Sequence, residues 1–316
     1  MKLKPIRFEC LKGEKSIAFS NRYVIICTGR RAIIYSRTLN VLKEFDGLHY
    51  VYSAYISPDE KRLLLISSGN QFYTVNLDSF EIKAHTVTGE YSGNLEGLGC
   101  WFFDGKSFFL IGSKKKDSTC AAIQYAADTV TVSKLHISEK YSIFYIKPIK
   151  EAEKYIAIAL DLSLSASENE SIWRLIKFDK NAAESFPIIE LNGDHIRRAH
   201  YDPIRNSLEI FGGRRYISIP FGEPKADIIQ AVEDIVKSTA LKISDAGAFN
   251  SCCMSSDQSK IYIATDIGLF IWSIGEQKIL AHKMYKCGVL DVKEINDKLI
   301  MISTINGIKT LELLPD

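Results

Sequence analysis

Histidine is scarce in this chain, six in 316 residues, and the six do not gather. His195 and His200 come nearest to a pair, but an odd separation on a strand sends the two side chains to opposite faces. The seven cysteines contain no Cys-x-x-Cys, so the usual structural zinc site is missing. Their odd number and irregular spacing also exclude a regular disulfide framework. Adjacent Cys252 and Cys253 face opposite ways on an expected strand. Free thiols point to a reducing compartment, and we expect a cytoplasmic protein. There is no Gly-x-Ser-x-Gly elbow, no phosphate loop ending in Gly-Lys-Ser or Gly-Lys-Thr, and no His-Glu-x-x-His. Asp104, Asp161, Asp202 and Asp257 fall at strand ends, where Asp serves to cap turns. The expectation is therefore a protein that is not an enzyme and has no cofactor, metal site or catalytic residue.

Long apolar runs are missing too. None reaches the roughly 20 residues that span a bilayer, and the opening MKLKPIRFECLKGEK lacks the apolar stretch of a secretory signal. Charge is balanced, 40 Lys and Arg against 38 acids. No global field calls for nucleic acid or an anionic membrane, and basic residues do not interleave with aromatics as nucleic-acid binding would require. Any electrostatic function must be local.

What the chain does have is a repeat. YSAYISPDEKRLLLISSGNQFYTVNLDSFEIKAHTV (Tyr52 to Val87) reads as a strand, a tight turn, a second strand, a Gly-Asn turn, a third strand and a polar fourth. MSSDQSKIYIATDIGLFIWSIGEQKILAHKM (Met254 to Met284) echoes it. First strands are expected near Lys15–Phe19, Val51–Ile56, Glu96–Phe102, Ser142–Lys147, His195–Tyr201, Ala248–Met254 and Val289–Glu294. Four-strand units recurring at roughly 40 to 50 residues are the mark of a β-propeller. The reading is an all-β, seven-bladed propeller forming one domain over residues 1–316. The last blade holds only three strands before the chain ends. LKPIRFEC (Leu3 to Cys10) is expected to supply its fourth and close the ring, which removes a free sheet edge.

SPDEKRLLLISSG (Ser57 to Gly69) resembles the turn between the first two strands of the WD-repeat-like superfamily. WFFDGKSFFLIGS (Trp101 to Ser113) and SSDQSKIYIATDIG (Ser255 to Gly268) are weaker copies. The likeness spans the chain as architecture and two or three blades as sequence. The family's Gly-His survives at most as Gly47-Leu-His49 and Gly193-Asp-His195, and its Trp-Asp only as Trp272-Ser273. The chain thus resembles a divergent member without the usual hydrogen-bonded tetrad.

Two segments break the rhythm. LDLSLSASENES (Leu160 to Ser171) lengthens a turn in the fourth blade. GEPKADIIQAVEDIVKS (Gly222 to Ser238) carries Ile228, Ile229, Val232, Ile235 and Val236 at helical spacing, with Pro224 suited to a helix start. A short helix is expected over about 224–238.

Because strands alternate in direction, turns between second and third strands share a face with the links between blades. On that face fall Arg30 and Arg31, Lys114, Lys115 and Lys116, and Arg214 and Arg215, with Arg197 and Arg198 near the same rim. Arginine pairs suit bidentate binding of carboxylate or phosphate. The same residues also serve simply to solvate hairpins, and Glu168, Glu170, Asp194, Asp245 and Asp266 dilute the field. Ile196-Arg197-Arg198-Ala199 is similar in its central pair to the Phe-Arg-Arg-Gly of phosphoinositide-binding propellers, but it lacks the flanking Phe and Gly. Tyr50, Tyr52, Tyr91 and Trp101 are candidate interface anchors. The function expected is a protein-interaction platform whose partner presents an acidic surface. A propeller enzyme of hydrolase or lactonase type, with its site in the central channel, and an anionic-lipid binder are the alternatives.

Overall fold

The computed structural model describes residues 1–9, 16–101, 105–115, 120–126, 132–134, 141–148, 154–161, 172–179, 186–192, 196–202, 207–212, 215–220, 227–229 and 249–315. The chain opens with β1 (Lys2–Glu9) and then runs through six meanders. They are β2 (Ser16–Phe19), β3 (Tyr23–Cys27), β4 (Ala32–Ser36) and β5 (Val41–Phe45); then β6 (Val51–Ile56), β7 (Arg62–Ser67), β8 (Gln71–Asn76) and β9 (Ile82–Thr86). Next come β10 (Leu95–Trp101), β11 (Ser107–Ser113), β12 (Cys120–Ala126) and β13 (Val132–Lys134), and β14 (Tyr141–Pro148), β15 (Lys154–Asp161), β16 (Ile172–Asp179) and β17 (Phe186–Asn192). The last two are β18 (Ile196–Asp202), β19 (Ser207–Gly212), β20 (Arg215–Pro220) and β21 (Asp227–Ile229), and β22 (Phe249–Met254), β23 (Lys260–Thr265), β24 (Gly268–Ser273) and β25 (Lys278–Met284). Each meander is one four-stranded sheet paired in chain order.

The chain ends in β26 (Asp291–Asn296), β27 (Leu299–Thr304) and β28 (Gly307–Leu314). Their sheet has the order β1-β28-β27-β26. β1 lies antiparallel on β28 from Lys2↔Leu314 to Glu9↔Ile308, so the opening segment supplies the fourth strand of the final sheet. The described residues thus form seven four-stranded sheets. No helix among them is long and apolar enough to cross a membrane.

Two compact units divide the chain. One comprises Met1–Ile17, Asp194–Asp202 and Ser207–Asp316; the other comprises Ala18–Gly193 and Pro203–Asn206. In the second, the run Leu63-Leu64-Leu65-Ile66 is wholly buried. Alternation divides it: Leu63 and Leu65 join Tyr23, Ile25, Ile34 and Val75, while Leu64 and Ile66 join Phe72, Trp101, Phe108 and Tyr125. A strand buried on both faces reads as a continuous apolar run for this reason. Burying one such side chain is worth about 1.5–3 kcal/mol. Gly99 lets β10 approach closely, since a Cβ there would lie 2.8 Å from Ile66 Cδ1. In the first unit, Ile300, Ile302, Leu311 and Leu313 pack with Tyr262, Leu269 and Val292, and Met1 together with Leu3 of β1 covers the same cluster.

The repeated turns are alike atom by atom. Ser57 Oγ donates to Asp59 Oδ1 across 2.6 Å, and Ser255 Oγ donates to Asp257 Oδ1 across 2.5 Å. The residue after each Asp, Glu60 or Gln258, has positive φ, 55° and 59°. Hydrogen bonds from Ser255 and Ser259 hold the Asp257 carboxyl well below the usual carboxylate range.

The helix expected over about 224–238 is corrected where the residues are described. Asp227–Ile229 forms β21, paired with β20 through Tyr216↔Ile229, Ile217↔Ile228 and Ser218↔Asp227. β-Branched Ile228 and Ile229 favour a strand, and the open edge of β20 offers their backbone the partners it needs. Residues 221–226 and 230–248 lie outside the described residues, as do 162–171 of the lengthened turn.

Candidate functional site

Three first strands of the sheets carry one extra residue at their second position. The register slips between Val51 and Ser53 in β6, Ile196 and Arg198 in β18, and Phe249 and Ser251 in β22, leaving Tyr52, Arg197 and Asn250 as the bulged residues. A bulge re-aims the side chain it carries. Tyr52 Oη donates to the Leu95 carbonyl at the entry of the next sheet. Asn250 Nδ2 does the same to the Val289 carbonyl, at 2.9 Å, and also reaches Asp266 Oδ1 at 2.8 Å. The entry residues are tied back in turn: Leu95 N–H donates to the Gly69 carbonyl at 2.6 Å, and Val289 N–H to the Thr265 carbonyl at 2.8 Å. Tyr52 is therefore a rivet between consecutive sheets.

Around β6 the same joint carries a different load. Gly29 and Val51 exchange both backbone hydrogen bonds, 3.1 and 2.6 Å, and Leu48 N–H donates to the Arg30 carbonyl at 3.0 Å. Ser68 N–H donates to the Tyr50 carbonyl at 3.0 Å, and His49 N–H to Tyr73 Oη at 2.9 Å. Tyr50, held from both sides, has φ of 40° and is 61 % exposed. A bulky residue at positive φ is strained, and strain of this kind costs about 1–3 kcal/mol. The Arg30 side chain is exposed on the facing turn and makes no ion pair among the described residues.

The neighbouring cations are compensated. Arg31 is paired with Glu44 and, at 3.0 Å, with Asp46. Lys114 meets Glu90 at 2.9 Å and lies over the Tyr91 ring at 5.4 Å. Lys115 is exposed.

No family model and no curated protein sequence matches this chain. Solved structures do. The β-propeller domain of Cps50 (Swd1) from Myceliophteria thermophila superposes with a TM-score of 0.72 at 10% identity, covering 99% of this chain and 100% of that one. Hydrazine synthase from Kuenenia stuttgartiensis gives 0.71 at 12% identity, covering 97% of each. The fold is that of a β-propeller. Since 1571 solved chains resemble it, the propeller selects no chemistry by itself.

On this propeller the anchors named from sequence separate by environment. Trp101 is 4 % exposed, donates from Nε1 to the Tyr55 carbonyl at 2.7 Å, and meets Phe108 edge-on at 5.0 Å. Tyr91 is also buried. Tyr50 alone of the four is exposed. Arg197 and Arg198 lie on β18 and Arg215 on β20, in the other compact unit. Lys116, His195 and Arg214 lie outside the described residues. Among the described residues no three His, Cys, Asp or Glu side chains gather as a metal site would need.

Sequence reasoning named other acids on that face and passed over Glu44, Asp46 and Glu90. Glu44 faces Ile33 across β4 and β5, two residues along from Arg31. That proximity follows from the hairpin register, and a charge count cannot see it. The positive φ at Tyr50 carried no signal either, because no Gly or Asn marks the position.

Proposed function

We propose that this chain is a non-catalytic protein-interaction platform, its seven sheets the blades of one ring that β1 completes. The observation that carries the reading is Tyr50, a strained, exposed aromatic whose segment is joined by backbone hydrogen bonds to the turn of Arg30, an exposed residue with no ion pair among the described residues. Tyr and Arg dominate the energetics of protein interfaces, and strained backbone persists where function selects it. The partner is a protein that presents a carboxylate to Arg30 and an apolar group to the Tyr50 ring. Lys115 and Lys116, and in the other unit Arg197, Arg198, Arg214 and Arg215, remain basic candidates for partner contact, while Arg31 and Lys114 contribute less because their charges are spent on nearby acids. Six free cysteines among the described residues, four of them buried, accord with a cytoplasmic setting.

The test is capture of partners from the native cell by the immobilised chain, compared with Arg30→Glu and with Lys278→Glu as a control. Lys278 is exposed and already engaged with Glu276 at 2.6 Å. Capture should fall at least about tenfold with Arg30→Glu, the scale of an interfacial hot spot, and hold with Lys278→Glu. Equal capture by both variants at low salt would remove Arg30 from the interface.

A further inference from the structure

Around Tyr50 the peptide units before and after are fixed by hydrogen bonds. Leu48 N–H donates to the Arg30 carbonyl at 3.0 Å, and His49 N–H donates to Tyr73 Oη at 2.9 Å. Tyr73 is itself anchored, 8 % exposed, in the cluster of Tyr23, Ile25 and Val75. The peptide joining Tyr50 to Val51 is clamped on both sides. Its carbonyl accepts from Ser68 N–H at 3.0 Å, and its N–H donates to the Gly29 carbonyl at 2.6 Å. The peptide between His49 and Tyr50 stands apart. Among the described residues its carbonyl accepts no hydrogen bond and the Tyr50 N–H donates none.

A peptide held on neither side can turn over between fixed neighbours. Opposed rotations about ψ of His49 and φ of Tyr50 invert its N–H and C=O and leave the adjoining peptides in place. φ of Tyr50 then passes from 40° to about −140°, in the extended region open to bulky residues. The observed orientation is the strained one, and strain persists only where the surroundings over-determine it. No hydrogen bond from the described residues to this peptide does so. Tyr50 is 61 % exposed, so the missing acceptor can come from outside the chain.

We propose that the His49–Tyr50 peptide is a two-state switch within the interface. In the free chain it exchanges between the strained and the flipped orientation. A carboxylate of the partner accepts from the Tyr50 N–H and selects the strained one. A ligand shifts such an equilibrium by its differential affinity for the two states, and this donor meets the carboxylate in one orientation only. The Arg30 turn, tied to the same link through Leu48, adds the charge that favours a carboxylate over a neutral carbonyl. The inference deepens the reading of Tyr50 as an interface residue and rests on it, since binding is what sustains the strain.

Relaxation dispersion on the backbone of the full free chain reads microsecond-to-millisecond exchange. The Tyr50 amide nitrogen should show it, and those of Leu48 and Val51, both bonded, should not. Tyr50→Val, whose β-branched side chain disfavours positive φ, should abolish it. Sodium acetate is the probe for the carboxylate. It should suppress the dispersion and slow amide hydrogen exchange at Tyr50 several-fold, beyond any effect of sodium chloride at equal ionic strength. Arg30→Glu should remove the acetate effect and keep the dispersion. A flat profile at Tyr50 in the free chain, or an unchanged one in Tyr50→Val, overturns the switch. Equal effects of acetate and chloride overturn selection by a carboxylate. Full partner capture by Arg30→Glu, with the dispersion present, would overturn the interface reading instead.

Discussion

Asn250 donates from Nδ2 to the carbonyl of Val289 across 2.9 Å, and that bond closes the joint between two consecutive blades. Tyr52 makes the equivalent bond to Leu95 with a different side chain. What recurs is the bulge that aims the residue; the chemistry at its tip is free to vary. Asn250→Ala removes the bonds to Val289 and Asp266 and should cost about 1–2 kcal/mol. Tyr52→Phe removes one bond and should cost about 1 kcal/mol. Urea denaturation measures both, and partner capture should be unchanged by either.

Trp101 was a candidate contact from sequence and sits in the core. Trp101→Phe loses the bond to the Tyr55 carbonyl together with indole packing, and about 1–3 kcal/mol of stability should go with it. Full capture of partners by the surviving folded protein would place Trp101 outside the interface. Reduced capture by folded protein would return it there.

β1 covers β28 and brings Met1 and Leu3 onto the Leu311 and Leu313 cluster. Deleting residues 1–9 exposes that cluster and reopens the edge of β28. The loss should be about 3–6 kcal/mol from apolar area and hydrogen bonds together, read as a lowered urea midpoint. An unchanged midpoint would mean that β1 is dispensable.

First strands were legible because a strand buried on both faces leaves an apolar run bounded by turns. The expected Val51–Ile56 coincides with β6, and the others fall within two residues of β2, β10, β14, β18, β22 and β26 at their starts. The fourth strand of the last sheet was legible from arithmetic, since three strands at one end needed one from the other. Asp227–Ile229 was misread as helix because Asp227-Ile228-Ile229 fits helix and strand periodicity equally over so short a span, and the free edge of β20 decides between them. The candidate surface was only half legible. Turn positions are local, so Arg30, Arg31 and Lys114 could be assigned to turns; the acids that compensate Arg31 and Lys114 arrive through register and loop folding. The bulges that redirect Tyr52 and Asn250 belong to pairs of strands, and no single strand encodes them.

His85 carries a pH dependence. It stacks on Phe72 at 4.9 Å and shares a hydrogen bond with Thr74 Oγ1 through Nε2 at 2.9 Å. Burial first, then the Lys83 ammonium, lowers its pKa from the ordinary 6.5. The folded chain therefore binds this proton less readily than the unfolded chain. Its contribution is present above pH 6.5 and is lost as pH falls through that value toward the lower folded pKa. In urea melts between pH 7.5 and 5, taken as roughly one unit either side of the histidine range, His85→Gln should flatten the acid limb. An identical acid limb in the variant would assign the loss to other groups.

If Tyr50 is kept in strain for binding, relieving the strain must trade affinity for stability. Tyr50→Gly relieves the positive φ of 40° at a residue that is 61 % exposed and contributes little to the core. Measuring unfolding free energy and partner affinity on the same variant tests this directly. Stability should rise by about 1 kcal/mol, and affinity should fall at least about tenfold. A variant that is less stable, or one that binds its partner as tightly as the wild type, contradicts the account.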